Sequence, residues 1–198
     1  MRKINKKGFT LIELLAVIVI LGVLLAVAVP AVTKYITSSK KSGYIDNMKY
    51  FMDSARSEVL DGEYNAPVST NEATVIYFDH LQPKLEKGGK TSSYGAAYDM
   101  NNSFVVIVNE GTAEKPDQKY YVAARDVSGY GIGVVTSSAT TAKIIQYDEL
   151  KNENVVQLTA GATCTTTNNK VDGSVTSETL SVQPGTLSNV KVTRIYKK

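Results

Sequence analysis

Apolar and polar positions change their pattern twice along the chain. No side chain is polar from Leu14 to Val29, and from Ala31 to about Leu60 apolar residues recur at three- and four-residue spacing. The second pattern predicts an amphipathic helix that continues out of the apolar segment. Asp61-Gly62 follows it, and a glycine just past the last periodic residue is typical of a helix end. Residues 9–60 are therefore predicted to form one long helix.

Beyond residue 62 the chain consists of short runs rich in valine, isoleucine and tyrosine, separated by glycine, proline and aspartate. These runs predict strands, at residues 73–78, 103–109, 119–125, 132–136, 143–147 and 189–196. Residues 148–154 form a polar link with room for a helical turn, and residues 155–158 are apolar again. The predicted fold class is α+β, a long helix packed on an antiparallel β-sheet head.

The stretch from Thr159 to Thr186 is rich in threonine, serine, asparagine and glycine, which is unlike a core segment. We expect a solvent-facing hairpin or loop, in which Asp172-Gly173 is a candidate turn. Cys164 lies within it and is the one cysteine of the chain, so no disulfide can form within the chain.

The apolar segment is long enough to cross a membrane, which takes about 20 residues. Arg2, Lys3, Lys6 and Lys7 precede it, and this asymmetry predicts an N-terminus in the cytoplasm. A secretory signal peptide is an alternative, but the apolar core is too long and Pro30 interrupts the small-residue cleavage pattern. A plain anchor gives no reason for Glu13, whose carboxylate would cost about 2.5–3.5 kcal/mol if fully buried in lipid.

The residues from Lys7 to Leu14, KGFTLIEL, resemble the processing signal of type IV prepilins and pseudopilins. The resemblance covers residues 6–30. It implies a cut between Gly8 and Phe9 by a prepilin peptidase, followed by N-methylation of Phe9. It also implies that Glu13, the fifth residue of the mature chain, pairs with the N-terminal amine of a neighbouring subunit during assembly.

The same resemblance implies a division of the chain. Residues 1–8 would be a cleaved leader, residues 9–30 the membrane and assembly half of the helix, residues 31–62 its amphipathic half, and residues 63–198 the pilin head. Identical subunits, a membrane assembly platform with its ATPase, and the cytoplasmic membrane are the implied partners. The protein would be a single-pass membrane precursor that becomes part of an extracellular pilus.

Gly22 and Pro30 are candidate positions for a kink in this helix. Proline removes one backbone hydrogen bond and clashes with the preceding turn, although membrane helices tolerate it. The family resemblance implies in addition that the segment between Gly22 and Pro30 loosens when a filament forms.

Charge and chemistry argue against the other function classes. Without the four basic residues of the leader, the chain has eighteen basic and nineteen acidic residues, so its body gives no support to nucleic-acid binding. His80 is the one histidine, and residues 129–133 (GYGIG) are better explained by a glycine-rich turn than by a phosphate loop. We expect no catalytic site, metal or cofactor.

The leading hypothesis is a structural subunit of a type IV pilus that serves adhesion, motility or aggregation. The alternative within the superfamily is a pseudopilin of a type II secretion-like system or of a competence (DNA-uptake) system. A membrane-anchored binding protein that never polymerises is a hypothesis of another class, and it predicts that Glu13→Ala is tolerated. A membrane-anchored enzyme has no motif to support it.

Overall fold

A computed structural model describes residues 8–81, 90–135, 142–157, 173–174, 179–180, 182–183 and 190–196. The chain divides into two compact units, Met1–Ser39 and Lys40–Lys198. The basic residues of the leader, Cys164 and most of the polar stretch from Thr159 to Thr186 lie outside the described residues.

One helix, α1 (Leu11–Leu60), extends from the first unit into the second. Its buried side chains are those of Tyr44, Ile45, Met48, Phe51, Met52 and Ala55, at the spacing expected of one helix face. The helix ends where the sequence predicts. Gly62 has φ +83°, and its N–H bonds the Val59 carbonyl at 3.2 Å, which closes the last turn.

The second unit contains a sheet of short strands. Along the chain they are β1 (Glu72–Tyr77), β2 (Phe104–Asn109), β3 (Gln118–Arg125), β4 (Tyr130–Ile132), β5 (Val134–Val135), β6 (Ala142–Gln146), β7 (Val156–Gln157), β8 (Gly173–Ser174), β9 (Thr179–Leu180), β10 (Val182–Gln183) and β11 (Val190–Tyr196). Five of them (β1, β2, β3, β6 and β11) lie within one residue of predicted bounds. The polar link before β7 forms two 3-10 turns, Tyr147–Glu149 and Asn152–Asn154. The α+β prediction is confirmed.

The sheet is mixed, which corrects the expectation of a wholly antiparallel one. Its order is β10-β6-β3-β2-β1-β11-β8, and the four central strands β1, β2, β3 and β6 are antiparallel to one another where they pair. Strand β11, however, runs parallel to β1, with Val75 opposite Ile195. Strand β10 is parallel to β6. Pairing between strands more than a hundred residues apart cannot be read from local patterns.

Both faces of the central strands are apolar and buried. All six residues of β2 are buried, because alternate side chains enter two different clusters. Val105 and Ile107 join the cluster that contains the helix residues, whereas Val106 and Val108 belong to the cluster on the opposite face. The amphipathic part of the helix therefore covers one face of the sheet with the side chains of one helix face.

The glycine-rich stretch at residues 129–133 forms a tight strand connection rather than a phosphate loop. Gly129 has φ +93° and its N–H bonds the Asp126 carbonyl at 3.1 Å, which turns the chain from β3 into β4. Gly133, with φ +71°, then separates β4 from β5. The strand that the sequence predicted at residues 132–136 is thus divided, because a positive φ suits glycine but interrupts an extended strand.

Candidate functional site

The predicted cleavage junction lies just before the start of the helix. Gly8, Phe9 and Thr10 are not helical, and the helix begins at Leu11. The Phe9 side chain is 91% exposed, and Gly8 and Thr10 on either side of it are exposed as well. Among the described residues, none covers the junction between Gly8 and Phe9.

Thr10 and Glu13 together cap the first turn of this helix. The Thr10 N–H and the Thr10 hydroxyl both donate to Glu13 Oε2 at 2.8 Å, and the Glu13 N–H approaches Thr10 Oγ1 at 3.3 Å. This reciprocal arrangement is a capping box, which satisfies backbone N–H groups that have no partner inside the helix. A carboxylate here also interacts favourably with the positive end of the helix dipole.

The capping box is a functional feature that our interpretation of the sequence missed. Its signal was present as Thr10-Leu-Ile-Glu13, a threonine followed three residues later by a glutamate just before an apolar run. Both residues lie on the C-terminal side of the Gly8–Phe9 bond. Cleavage at that bond would therefore leave the capping residues in place and create a cationic amine at Phe9, one residue before the cap.

The helix of the first unit exposes nearly all of its apolar side chains. Its large hydrophobic residues from Leu11 to Ile36 are between 48% and 83% exposed. This helix is long and apolar enough to cross a membrane. An apolar surface of this extent is far larger than a water-soluble monomer normally shows, and it marks a site of membrane or protein contact.

Pro30 lies inside the helix and is followed by two threonines that bond to the helix backbone. Thr33 Oγ1 donates to the Val29 carbonyl at 2.9 Å, and Thr37 Oγ1 donates to the Thr33 carbonyl at 3.0 Å. Such bonds satisfy polar hydroxyls within the helix and often bend it. Gly22 lies eight residues earlier, with open space around its α-carbon.

The predicted site residues fall into two separate places on the first unit. Gly8, Phe9 and Glu13 lie together at the start of the helix. Pro30 is seventeen residues beyond Glu13, or about 25 Å along a helix that rises 1.5 Å per residue. The predicted residues therefore form one group at the start of the helix, with the two candidate kink positions further along.

Within the second unit, loops of the head form hydrogen bonds with the helix near residues 40–43. The Ser93 hydroxyl donates to the Lys40 carbonyl, and the Ser42 hydroxyl and the Asn152 side chain lie within hydrogen-bond distance at 3.1–3.2 Å. Gly43 allows this approach, since a Cβ there would lie 3.2 Å from the Ser93 Cβ. Lys40 and Ser42 are therefore helix residues that hydrogen-bond to loops of the head. The sequence alone did not predict these contacts.

His80 is part of an aromatic cluster. Its Nδ1 lies 3.0 Å from the Tyr64 hydroxyl, and both rings are close to Tyr196. The pKa of Tyr64 is raised to about 12. Burial makes the largest contribution to this rise, and the nearby carboxylate of Glu58 raises the pKa further. Within the described residues no group of three histidine, cysteine, aspartate or glutamate side chains could hold a metal ion.

Comparisons with known proteins agree with the N-terminal motif. Residues 3–29 match the family described as the prokaryotic N-terminal methylation motif. The chain is 34% identical over 106 residues to a fimbrial protein of Pseudomonas aeruginosa. The matched stretch covers 54% of this chain and 69% of that protein. No solved structure matches.

Two further relatives match shorter stretches. A type IV major fimbrial protein FimA of Dichelobacter nodosus is 40% identical over 58 residues, which is 29% of this chain and 37% of that protein. A ComG operon protein 3 homolog of Bacillus licheniformis is 49% identical over 39 residues, covering 20% of this chain and 40% of that protein.

Proposed function

The chain belongs to the type IV pilin family, and from that premise we propose that it is the structural subunit of a surface filament used for adhesion, motility or aggregation. The observation that carries the proposal is the exposed apolar helix with Glu13 at its start. Lipid can cover that helix in the precursor, and identical helices can cover it in a polymer. The relatives are named as fimbrial proteins, which fits a protein that is not an enzyme.

Processing is the first step of this function. We propose that the peptidase cuts between Gly8 and Phe9, removes residues 1–8 and leaves Phe9 to be methylated on its new amine. The support is the exposed, non-helical junction together with the methylation motif at residues 3–29.

In this proposal the Glu13 carboxylate has one partner in the single chain and a different one in the filament. In the single chain its carboxylate accepts two hydrogen bonds from Thr10. In a filament it would pair with the Phe9 amine of a neighbour, because a charge surrounded by apolar helices is costly unless an opposite charge lies beside it. This pairing would select the correct axial position of each incoming subunit.

The remaining helix residues have mechanical roles in the same proposal. Residues 9–30 anchor the precursor in the cytoplasmic membrane with its N-terminus inside, and an assembly platform and its ATPase extract it into the growing filament. Between Gly22 and Pro30 the helix loosens on assembly, since Pro30 lacks the N–H that a regular helix turn requires. Residues 40–62 and the head, residues 63–198, would remain folded together, since they belong to the same compact unit.

The test is an N-terminal and mass analysis of protein sheared from the native cell surface. The proposal expects a pellet of filaments whose subunit begins with N-methylated Phe9, and it expects Glu13→Ala to be processed but absent from that pellet. A chain that still begins at Met1, or that is cut near Ala31, would overturn the processing step. Filaments of Glu13→Ala at the normal yield would overturn the pairing role of Glu13.

A pseudopilin of a secretion-like or competence system is the second candidate. The match to the ComG operon protein 3 homolog is the observation that keeps it. In the same experiment this candidate expects a chain that begins at Phe9 but stays with the membrane fraction after shearing. The two functions thus share their processing step and differ in whether the mature subunit reaches an extended surface filament.

A further inference from the structure

Lys34 lies on the side of the apolar segment where the orientation of the helix gives no reason for a lysine. Lysines orient a membrane helix by staying on its cytoplasmic side, whereas Lys34 follows the apolar run. Its side chain is exposed, and among the described residues it takes part in no ion pair or cation–ring contact. The reason for this lysine is therefore to be sought in what surrounds the helix.

Tyr35 is the next residue, and it is 76% exposed. Lys34 and Tyr35 both belong to the first unit and to the same helix as the apolar run. Neighbouring residues of a helix point about 100° apart, because one turn takes 3.6 residues. The ammonium group and the phenol ring thus extend from two different sides of one helix turn.

The two threonines beside this pair make their hydrogen bonds within the helix. The hydroxyls of Thr33 and Thr37 donate to the backbone carbonyls four residues earlier, at 2.9 and 3.0 Å. A hydroxyl that bonds its own helix needs no water and is tolerated next to lipid. Lys34 is therefore the first residue after the apolar run whose side chain requires a polar environment.

The length of the helix places this pair at one surface of a bilayer. From Leu11 to Val32 the helix is about 33 Å long at its rise of 1.5 Å per residue, and the hydrocarbon core of a bilayer is about 30 Å thick. From Leu11 to Tyr35 it is about 36 Å, which is less than the roughly 40–45 Å of a bilayer with its headgroups. With Leu11 at the inner edge of the core, Tyr35 lies among the headgroups of the outer leaflet.

We propose that Lys34 and Tyr35 bind the phosphate headgroups of anionic lipids in the outer leaflet of the cytoplasmic membrane, and that this contact sets the depth of the precursor helix. The inference rests on the proposed membrane span of residues 9–30. A lysine at the end of a membrane helix extends its apolar stem along the lipid and brings its charge to the interface. Tyrosine rings prefer the same level, and headgroups with a net negative charge attract the ammonium group most strongly.

A contact at this end of the helix also fixes the position of the other end. A helix held at Tyr35 resists sliding along the bilayer normal, so Leu11 stays at the inner edge of the hydrocarbon core. The Gly8–Phe9 bond lies just before Leu11 and would stay at the cytoplasmic surface. Extraction into a filament would have to break the headgroup contacts first, so the same two residues oppose an early departure from the membrane.

Tryptophan fluorescence measures the depth, because the chain contains no tryptophan of its own. The full-length Tyr35→Trp chain is placed in vesicles of phosphatidylglycerol and phosphatidylcholine whose acyl chains carry bromine, a quencher, either near the headgroup or near the chain end. Tryptophan shares the interfacial preference of tyrosine, so we expect stronger quenching by bromine near the headgroup. Leu25→Trp, within the apolar run, is the matched reporter and should be quenched more by bromine near the chain end.

The preferred class of lipid is measured with the same Tyr35→Trp reporter. In mixed vesicles, bromine carried by phosphatidylglycerol alone or by phosphatidylcholine alone shows which lipid lies beside the introduced tryptophan. We expect phosphatidylglycerol to be preferred about fivefold, the effect of one lysine near an anionic surface, and we expect Lys34→Gln to abolish this preference. Lys115→Gln removes the same charge from an exposed position in the second unit and should leave the preference unchanged.

The outcomes separate this contact from the membrane span on which it rests. If Leu25→Trp is not quenched at all, the proposed span fails and the inference fails with it. If Leu25→Trp is quenched as expected but Tyr35→Trp is quenched chiefly near the chain end, or not at all, the span stands and the headgroup contact is wrong. Equal quenching by the two lipids, a preference that survives Lys34→Gln, or one that Lys115→Gln also abolishes would likewise overturn the contact.

Discussion

Glu13 accepts two hydrogen bonds of 2.8 Å from Thr10, one from its backbone N–H and one from its hydroxyl. The carboxylate that the family resemblance assigns to contact between subunits thus already has a structural task in a single chain. Its two tasks make different demands, because capping requires an acceptor atom and pairing with an amine requires a charge. Substitutions can therefore separate them.

Glu13→Gln should keep the helix start and lose assembly. Glutamine serves in a capping box as glutamate does, but it carries no charge to pair with a neighbour's amine. Glu13→Ala should lose both, and Thr10→Ala should weaken the helix start by about 1 kcal/mol while keeping the charge. Amide exchange of residues 11–14 reports the cap, and the yield of sheared filaments reports assembly. Normal filaments from Glu13→Gln would show that the charge is dispensable.

Phe51→Ala should strongly destabilise the head. Phe51 is fully buried on the helix and stacks on Phe78 with ring centroids 3.8 Å apart, so its loss leaves a cavity between helix and sheet. A cost of about 3–5 kcal/mol is expected in the free energy of unfolding. Its neighbour Tyr50 points outward, and Tyr50→Ala should change that free energy by only about 0.5 kcal/mol. Denaturant unfolding of the detergent-dispersed chain measures both, and equal effects would contradict the assigned helix face.

Asp126→Ala should destabilise the turn between β3 and β4 and detach the loop at Ser92. The Asp126 side chain is 1% exposed and accepts hydrogen bonds of 2.6 Å from the hydroxyls of Ser92 and Ser128, as well as bonds from two backbone N–H groups of the turn. Buried donors left without an acceptor cost about 1–3 kcal/mol each. Asp126→Asn keeps the shape and one acceptor oxygen, so it should fall between alanine and the wild type in unfolding free energy.

Stability should fall as the pH rises through the alkaline range. Burial, followed by the nearby Glu58, raises the pKa of Tyr64 from 10.0 to about 12, so the folded state holds this proton more tightly than the unfolded chain. The stabilisation is therefore complete below pH 10 and is lost between pH 10 and about pH 12. Tyr64→Phe should make the unfolding free energy decline less steeply in this window. An unchanged slope would assign the decline to other tyrosines, such as Tyr98, whose pKa burial also raises.

Local patterns in the sequence predicted most of the elements of this fold. The helix end at Leu60 was readable because Gly62 stands where a left-handed residue is needed, and β2 was readable because its six residues form an uninterrupted apolar run. These features depend on neighbours in sequence. The parallel pairing of β1 with β11 depends on residues more than a hundred positions apart, and no local pattern encodes it.

The features of the candidate site also differ in whether neighbouring residues or residues distant in the sequence form them. A motif of eight residues predicts the cleavage junction and the role of Glu13, and both stay predictions. The same motif also encodes the observed Thr10–Glu13 cap, although we did not recognise it. The contacts of Ser93 and Asn152 with the helix at Lys40 and Ser42 were not readable, because they join loops to the helix across the fold. Whether Glu13 pairs with another subunit stays a prediction, since that partner belongs to the assembly.

The place of β11 in the sheet has a consequence for the timing of export. Strand β1 lies between β2 and β11, and residues 190–196 supply its second neighbour. If the head is exported as proposed, β1 would emerge about a hundred residues before β11, so its edge would stay open while the chain in between crosses the membrane. An open apolar strand edge is a template for pairing with other chains. The subunit would therefore be most vulnerable to aggregation in the interval before residues 190–196 pair with β1.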